Sequence, residues 1–222
     1  MHMLGMAPIR ATVADPRRAE VGHDPTFTLV KVDCGPGVRC VPSPSMTPTL
    51  RTERLLLEPY APEDEEGFTA LFQDGRVSQW MGDGPTTEAE DRALFGRIFT
   101  KVYAQELFDV WAVRRDGLLI GHAEIKPTDV VRGHEIIYAL APSAWGSGLG
   151  TEVAEALVTY GFGTLGLTEV HATVAEPNTA SLRLLAGIGF EPVRDVTEKD
   201  GSTTRVLTRT CMPCAAEWAE QP

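Results

Sequence analysis

The chain has 222 residues, with 20 Lys and Arg against 31 Asp and Glu, 43% hydrophobic and 23% charged side chains, and a formal net charge of −11. This is globular composition, long enough for one domain with an appendage to bury a core without disulfides. It excludes a protein that coats nucleic acid, which needs clustered Lys and Arg, and it favours cationic or amine-bearing partners. The longest uncharged stretch of the second half, 136–151, is too short and too broken by Pro142, Gly146, Gly148 and Gly150 to span a bilayer. The N-terminus lacks the apolar core and cleavage site of a secretory leader, so the expected compartment is the cytoplasm, with thiols free.

Residues 1–50 are proline-rich and without sustained periodicity, and they read as an N-terminal extension in which 27–32 is the one candidate edge strand. From residue 51 the texture changes. Leu55, Leu56 and Leu57 mark a strand over 52–59, and an acidic first turn followed by Phe68, Leu71 and Phe72 on one face marks a helix over 62–74. A loop with Gly82, Gly84 and Pro85 leads to Thr86 or Thr87 as the cap of a second helix carrying Leu94, Ile98 and Val102. Asp116-Gly117 joins strands 109–114 and 118–126 in a hairpin. Alternation sets Ile120, His122, Glu124 and Lys126 on one face of the second of these strands, and Leu119, Gly121, Ala123 and Ile125 on the other.

Residues 135–141 form a further strand, followed by a glycine-rich turn and a helix to about Gly163. A strand over 168–175, a helix opened by Pro177-Asn178 and ended by Gly189, and a hairpin at Asp200-Gly201 complete the pattern, with 211–222 as a short tail. The fold class is α+β: one domain over 51–210, with a mixed, mostly antiparallel sheet of about seven strands and helices on both faces. The helical crossover makes the strands on either side of it parallel neighbours.

The turn Trp145-Gly146-Ser147-Gly148-Leu149-Gly150-Thr151 carries the most chemical information. Between a strand and a helix, such a turn aims main-chain N–H groups at an anion, with the helix dipole behind them. A dinucleotide fold would want a third glycine at Thr151 and a sheet parallel from its start, and a Walker A loop would want a lysine; neither is present. A different pyrophosphate-bearing ligand fits better.

This turn resembles the pyrophosphate motif Arg/Gln-x-x-Gly-x-Gly/Ala of the GNAT acyl-CoA N-acyltransferases. Asn178-x-x-Ser181 followed by Gly189-Phe190 is similar to that family's second landmark, in the manner of the Rim-type branch that acetylates N-terminal amines of ribosomal proteins and other amines. The resemblance spans about 52–210. It implies a sheet splayed between the fourth and fifth expected strands (135–141 and 168–175), with acetyl-CoA as co-substrate and its pantetheine running beside Ala139, Leu140 and Ala141. A main-chain N–H near Leu140 would then face the thioester oxygen. The diphosphate would lie on Trp145, Gly146, Ser147, Gly148, Leu149, Gly150 and Thr151, with Asn178 bonding the pantetheine. Two positions depart from the family pattern. Trp145 stands where many members have Arg or Gln, and Leu185 stands where many carry the tyrosine that protonates the leaving thiolate.

Acyl transfer to an amine needs a neutral nucleophile, donors for the oxyanion and a proton for the sulfur. Glu135, on the strand beside the acyl arm, is the first candidate base, against a solvated strand-start carboxylate; His122 and Glu124 are its rivals. Ser181 is a candidate proton donor, against a small packing residue, and Asn178 is alternatively a helix cap. Substrate selection is expected from 77–90, with Trp80, Met81, Asp83, Glu88 and Asp91, and from the loop near 199–202. The expected activity is acetyl transfer from acetyl-CoA to a primary amine, on a small molecule or a protein N-terminus, in a ternary complex. Transfer of a longer acyl group and a non-catalytic coenzyme A-binding module are the alternatives. Cys211-x-x-Cys214 with Cys34 and Cys40 lies outside usual zinc spacing, so no metal is expected. A homodimer is left open.

Overall fold

The computed structural model describes residues 47–81 and 85–211. Its single sheet has eight strands: β1 (Leu50–Arg51), β2 (Leu56–Glu58), β3 (Asp109–Arg115), β4 (Leu118–Thr128), β5 (Gly133–Leu140), β6 (Glu169–Ala175), β7 (Glu191–Thr197) and β8 (Thr203–Thr210). They run in the order β1-β2-β3-β4-β5-β6-β8-β7. Every pairing is antiparallel except β5 with β6, which are parallel and register at one pair, Glu135 with His171. The seven expected strands are all present. The addition is β1, where Leu50 pairs with Leu57 while Trp111 donates its indole N–H to Pro48 O, so these residues join the sheet. The candidate strand 27–32 and Cys34, Cys40 and Cys214 lie outside the described residues.

The helices are α1 (Glu65–Gln73), α2 (Gly75–Ser78), α3 (Glu88–Arg97), α4 (Leu149–Gly163) and α5 (Thr179–Gly187). Thr87 caps α3 in a capping box with Glu90, satisfying donors that the first turn cannot pair internally. The second expected helix does not keep one pitch. It passes into a π-helical turn over Ile98–Tyr103, so Leu94, Ile98 and Val102 do not form one regular i, i+4, i+8 row. No helix among the described residues is long and apolar enough to cross a membrane.

Two cores lie on opposite faces of the sheet. Helices α4 and α5 cover one, built on Val153, Leu157, Val170, Leu185 and Trp111; α1 and α3 cover the other, built on Tyr60, Phe68, Phe72 and Phe95. The alternation expected along β4 holds from Gly121 to Lys126 and fails before it. The register skips Ile120 between β3 partners Val113 and Arg114, a bulge that turns Ile120 toward the α4 core and Leu119 toward the α1 core.

Gly121 lets β4 and β5 approach closely: a Cβ there would lie 2.4 Å from Ala139 O. Gly121→Ala should lower unfolding stability by about 1–3 kcal/mol in denaturant melts, because the obstacle is backbone. Gly96→Ala, in a helix interior with open space around it, should raise stability by about 0.5–1 kcal/mol. Equal effects of the two would contradict this packing.

Candidate functional site

The site is built where β5 and β6 part. Ala141 N donates to Ile120 O, which fixes the phase of the β4–β5 ladder. By the two-residue alternation of such a ladder, Ala139 pairs with His122, whereas Tyr138 and Leu140 direct their N–H and C=O groups away from β4, into the gap beside β6. Leu140 O confirms the direction by accepting the Trp145 indole N–H at 2.7 Å. The side chain of Trp145 thus closes the end of β5 while remaining 47% exposed.

At the mouth of the gap lies the glycine turn. Gly148 has φ +79° and opens α4 with no side-chain cap; the first helical bond here runs from Glu152 N to Gly148 O. The amides of Leu149, Gly150 and Thr151, in the first helical turn, therefore precede any intrahelical acceptor. Gly146 (φ +70°), Ser147 and Gly148 are exposed, and the Ser147 hydroxyl donates to Ala144 O. An N-terminus without a side-chain cap, behind a left-handed glycine, fits an anionic diphosphate; Glu152, the acidic side chain of this first turn, is engaged by Thr52 and Arg54.

Arg54, which sequence reasoning did not single out, braces this turn. Its Nη1 donates to Ser147 O at 2.8 Å, its Nε bonds Glu152 Oε2 at 2.7 Å, and its own main-chain N–H donates to Glu152 Oε1. Thr52 donates to the same carboxylate. Burial pushes the Glu152 carboxyl up, but the hydrogen bonds from Thr52 and Arg54 outweigh it and hold the group below its usual range. A residue almost a hundred positions upstream of its partners leaves no local pattern in the sequence.

On the α1 face of the sheet, the register aligns His122, Glu124 and Lys126 of β4 with Ala139, Ile137 and Glu135 of β5. Glu135 is 8% exposed and accepts from Thr173 Oγ1 of β6 at 3.2 Å, beside the one parallel pair. It is therefore no solvated strand-start carboxylate. Desolvation raises its pKa, with nearby Glu124 adding to the effect while Lys126 and Thr173 oppose it.

His122 is 3% exposed and both ring nitrogens are engaged: Nε2 lies 2.9 Å from Glu124 Oε1 and Nδ1 lies 3.0 Å from Tyr60 Oη. Nε2 donates to the carboxylate, and Nδ1 meets the phenol oxygen. Phe68 and Phe72 pack edge-on against it. For Glu124, burial would raise the pKa, but the His122 hydrogen bond and charge, together with Lys126, pull it to about 2. Two carboxyl groups on one face thus have their proton affinities driven apart.

On the opposite face, Asn178 caps α5, its Oδ1 accepting from Ser181 N at 3.2 Å. The Ser181 hydroxyl lies 3.3 Å from Tyr138 Oη. Tyr138 is the second residue that sequence reasoning passed over, because nothing local pairs it with Ser181. Leu185 is 1% exposed within the core.

Among the residues expected to select substrate, Asp91 is not surface. It is 2% exposed and held by Gln73 Nε2 and Thr86 Oγ1, because the loop before α3 folds over it. Glu88 is engaged by Arg92, Met81 packs on the α1-side core, and Trp80 remains exposed. Asp83 lies outside the described residues.

Comparison with known proteins agrees with this architecture. The family described as acetyltransferase (GNAT) domain matches residues 54–191. The uncharacterized N-acetyltransferase YoaA of Bacillus subtilis is 32% identical over 152 residues, covering 66% of this chain and 84% of that protein. The FsC-acetyl coenzyme A-N(2)-transacetylase of Aspergillus fumigatus is 29% identical, covering 66% of each. Mycobacterium smegmatis RimJ, solved in complex with CoA-disulfide, superposes with a TM-score of 0.64 at 20% identity, over 80% of this chain and 92% of that one. The parted strands, the glycine turn and the match over 54–191 lead to one conclusion: the chain belongs to the GNAT family of acetyltransferases.

Proposed function

We propose that the domain over 51–210, flanked by 1–50 and 211–222, transfers an acetyl group from acetyl-CoA directly to a primary amine in a ternary complex, and acts in the cytoplasm. One observation carries the reading. The parted β5 and β6 bring an uncapped glycine turn to one end of a gap and a buried, hydrogen-bonded carboxyl, Glu135, to the other. Acetyl-CoA supplies an activated thioester when bound. Gly146, Ser147, Gly148, Leu149, Gly150 and Thr151 would hold its diphosphate, while Ala139, Leu140, Ala141, Trp145 and Asn178 would flank its arm.

In this reading Glu135 takes the proton of the acceptor ammonium. Its raised proton affinity suits it to that task better than Glu124, which His122 and Lys126 hold ionised at about 2. His122 is already committed at both nitrogens, which favours Glu135 over it as well. The Leu140 N–H, directed into the gap, is the donor for the thioester oxygen. Ser181 returns a proton to the sulfur. The net charge of −11 draws cationic acceptors toward the chain, and the name of the Aspergillus relative describes transfer to an N2 nitrogen, which supports an amine acceptor of a small molecule or protein N-terminus.

Burial of Leu185 supports a second reading, a coenzyme A-binding module without turnover, because no proton donor stands at that position. Thiol release measured with a chromogenic trap across a panel of primary amines separates the two. Amine-dependent release supports the transferase, and binding without release from any amine supports the module.

Glu135→Gln should lower kcat/KM by about 10²–10³-fold at pH 7, a loss that shrinks as pH rises and the amine deprotonates unaided. In the wild type, activity should fall as pH drops through the raised Glu135 pKa, because the base must be ionised. The effect on stability has the opposite sense. The native state holds this proton more tightly than the unfolded chain does, so ionising Glu135 costs stability as pH rises above its unfolded value. Glu135→Gln should therefore leave neutral-pH stability unchanged or higher while activity falls. A pH-independent rate loss, or none, would contradict the assignment.

Gly148→Val should raise the acetyl-CoA Kd at least about tenfold in calorimetry, because φ +79° and close approach of the diphosphate both exclude a Cβ. An unchanged Kd would overturn the role given to the turn.

A further inference from the structure

The Tyr138 ring stands between the first turns of two helices. Its Cε2 comes within 3.9 Å of the position a Cβ would take on Gly150, at the start of α4, and its hydroxyl lies 3.3 Å from Ser181 Oγ, in the first turn of α5. The tyrosine belongs to β5 and the serine to the helix that follows β6, so this contact spans the gap where the two strands part. The main chain of Tyr138 faces the same gap, as the ladder phase requires. The α5 position occupied by Leu185 offers no proton, and its side chain is enclosed in the core.

A serine hydroxyl alone is a poor acid, because its conjugate base is a strongly basic alkoxide. A phenol bonded to it changes the outcome, since the negative charge can come to rest on a phenolate, a far weaker base than an alkoxide. We propose that Tyr138 is a positioning residue for Ser181, orienting its hydroxyl toward the departing thiolate and restoring the proton that Ser181 gives up. The assignment deepens the transferase reading and rests on it. As the carbon–sulfur bond breaks, the Ser181 O–H bond opens and an S–H bond forms; the Tyr138 O–H bond opens as the serine O–H bond reforms. The phenolate then recovers a proton from solvent, and nothing is oxidised or reduced. Burial raises the Tyr138 pKa, so the phenol stays protonated through the neutral range, while the Ser181 hydrogen bond moderates the shift.

The test uses the full chain as wild type, Tyr138→Phe, Ser181→Ala and the double variant, with acetyl-CoA and the best amine from the release panel. Each single variant should lower kcat about ten- to a hundredfold while leaving the acetyl-CoA Kd within about twofold. The double variant should be no slower than the slower single, as for residues that act as one unit. A readout independent of turnover is the titration of Tyr138 in ¹³C-tyrosine-labelled protein, which should move to higher pH in Ser181→Ala as the moderating hydrogen bond is lost. An unchanged kcat in Tyr138→Phe, additive losses in the double variant or an unmoved titration would overturn the assignment while wild-type turnover stands. A wild type that binds acetyl-CoA yet releases no thiol with any amine would overturn the transferase reading, and this one with it.

Discussion

Two parallel strands that register at one residue pair and then diverge leave main-chain donors and acceptors with no ladder to enter, and buried groups of that kind must be satisfied by something. In this protein part of the deficit is met from within, by the Trp145 indole on Leu140 O. The amides of Tyr138 and Leu140, together with the uncapped first turn of α4, face the same opening. The proposed ligand, with an extended amide-bearing arm and a diphosphate, would supply what both surfaces lack. The rest of the site follows from that opening, because β5 carries Glu135 at its closed end and the glycine turn at its mouth.

The chain is acidic, and the proposed diphosphate site relies on neutral main-chain donors, in a turn that Arg54 braces while paired with Glu152. In the proposed reading, the net negative charge then remains to attract a positively charged acceptor. On the α1 face, Glu124 and Glu135 lie two registers apart and behave oppositely. Glu124 is bound into the His122–Tyr60 network and stays ionised, whereas for Glu135 burial outweighs the charge of its register partner Lys126 and hydrogen bonds from Thr173 and Thr128. The proposed base is thus the carboxyl whose proton affinity is raised, and its neighbour is the one whose affinity is lowered.

Much of this was legible in the order of residues. Asp116-Gly117 fixed a hairpin because both residues take positive φ, and the glycine turn marked the start of α4 because Gly148 adopts the left-handed conformation that its neighbours cannot. What stayed hidden was tertiary. The bulge that turns Ile120 out of its alternation depends on register with β3, and the burial of Asp91 depends on Gln73 and Thr86 closing over it. Arg54 and Tyr138 matter through partners 93 and 43 residues away, and no short pattern reports such distances. Asn178 was legible as a residue of interest, but its side-chain oxygen serves first as the cap of α5.

The central claim is that main-chain amides at the start of α4 receive a diphosphate and that the parted strands receive the arm attached to it. A crystal structure of the protein with acetyl-CoA tests it most directly. The account predicts phosphate oxygens within hydrogen-bond distance of the amides of residues 146–151, and the pantetheine alongside Tyr138 and Leu140. A diphosphate bound anywhere else, or an arm that does not enter the gap between β5 and β6, would contradict it.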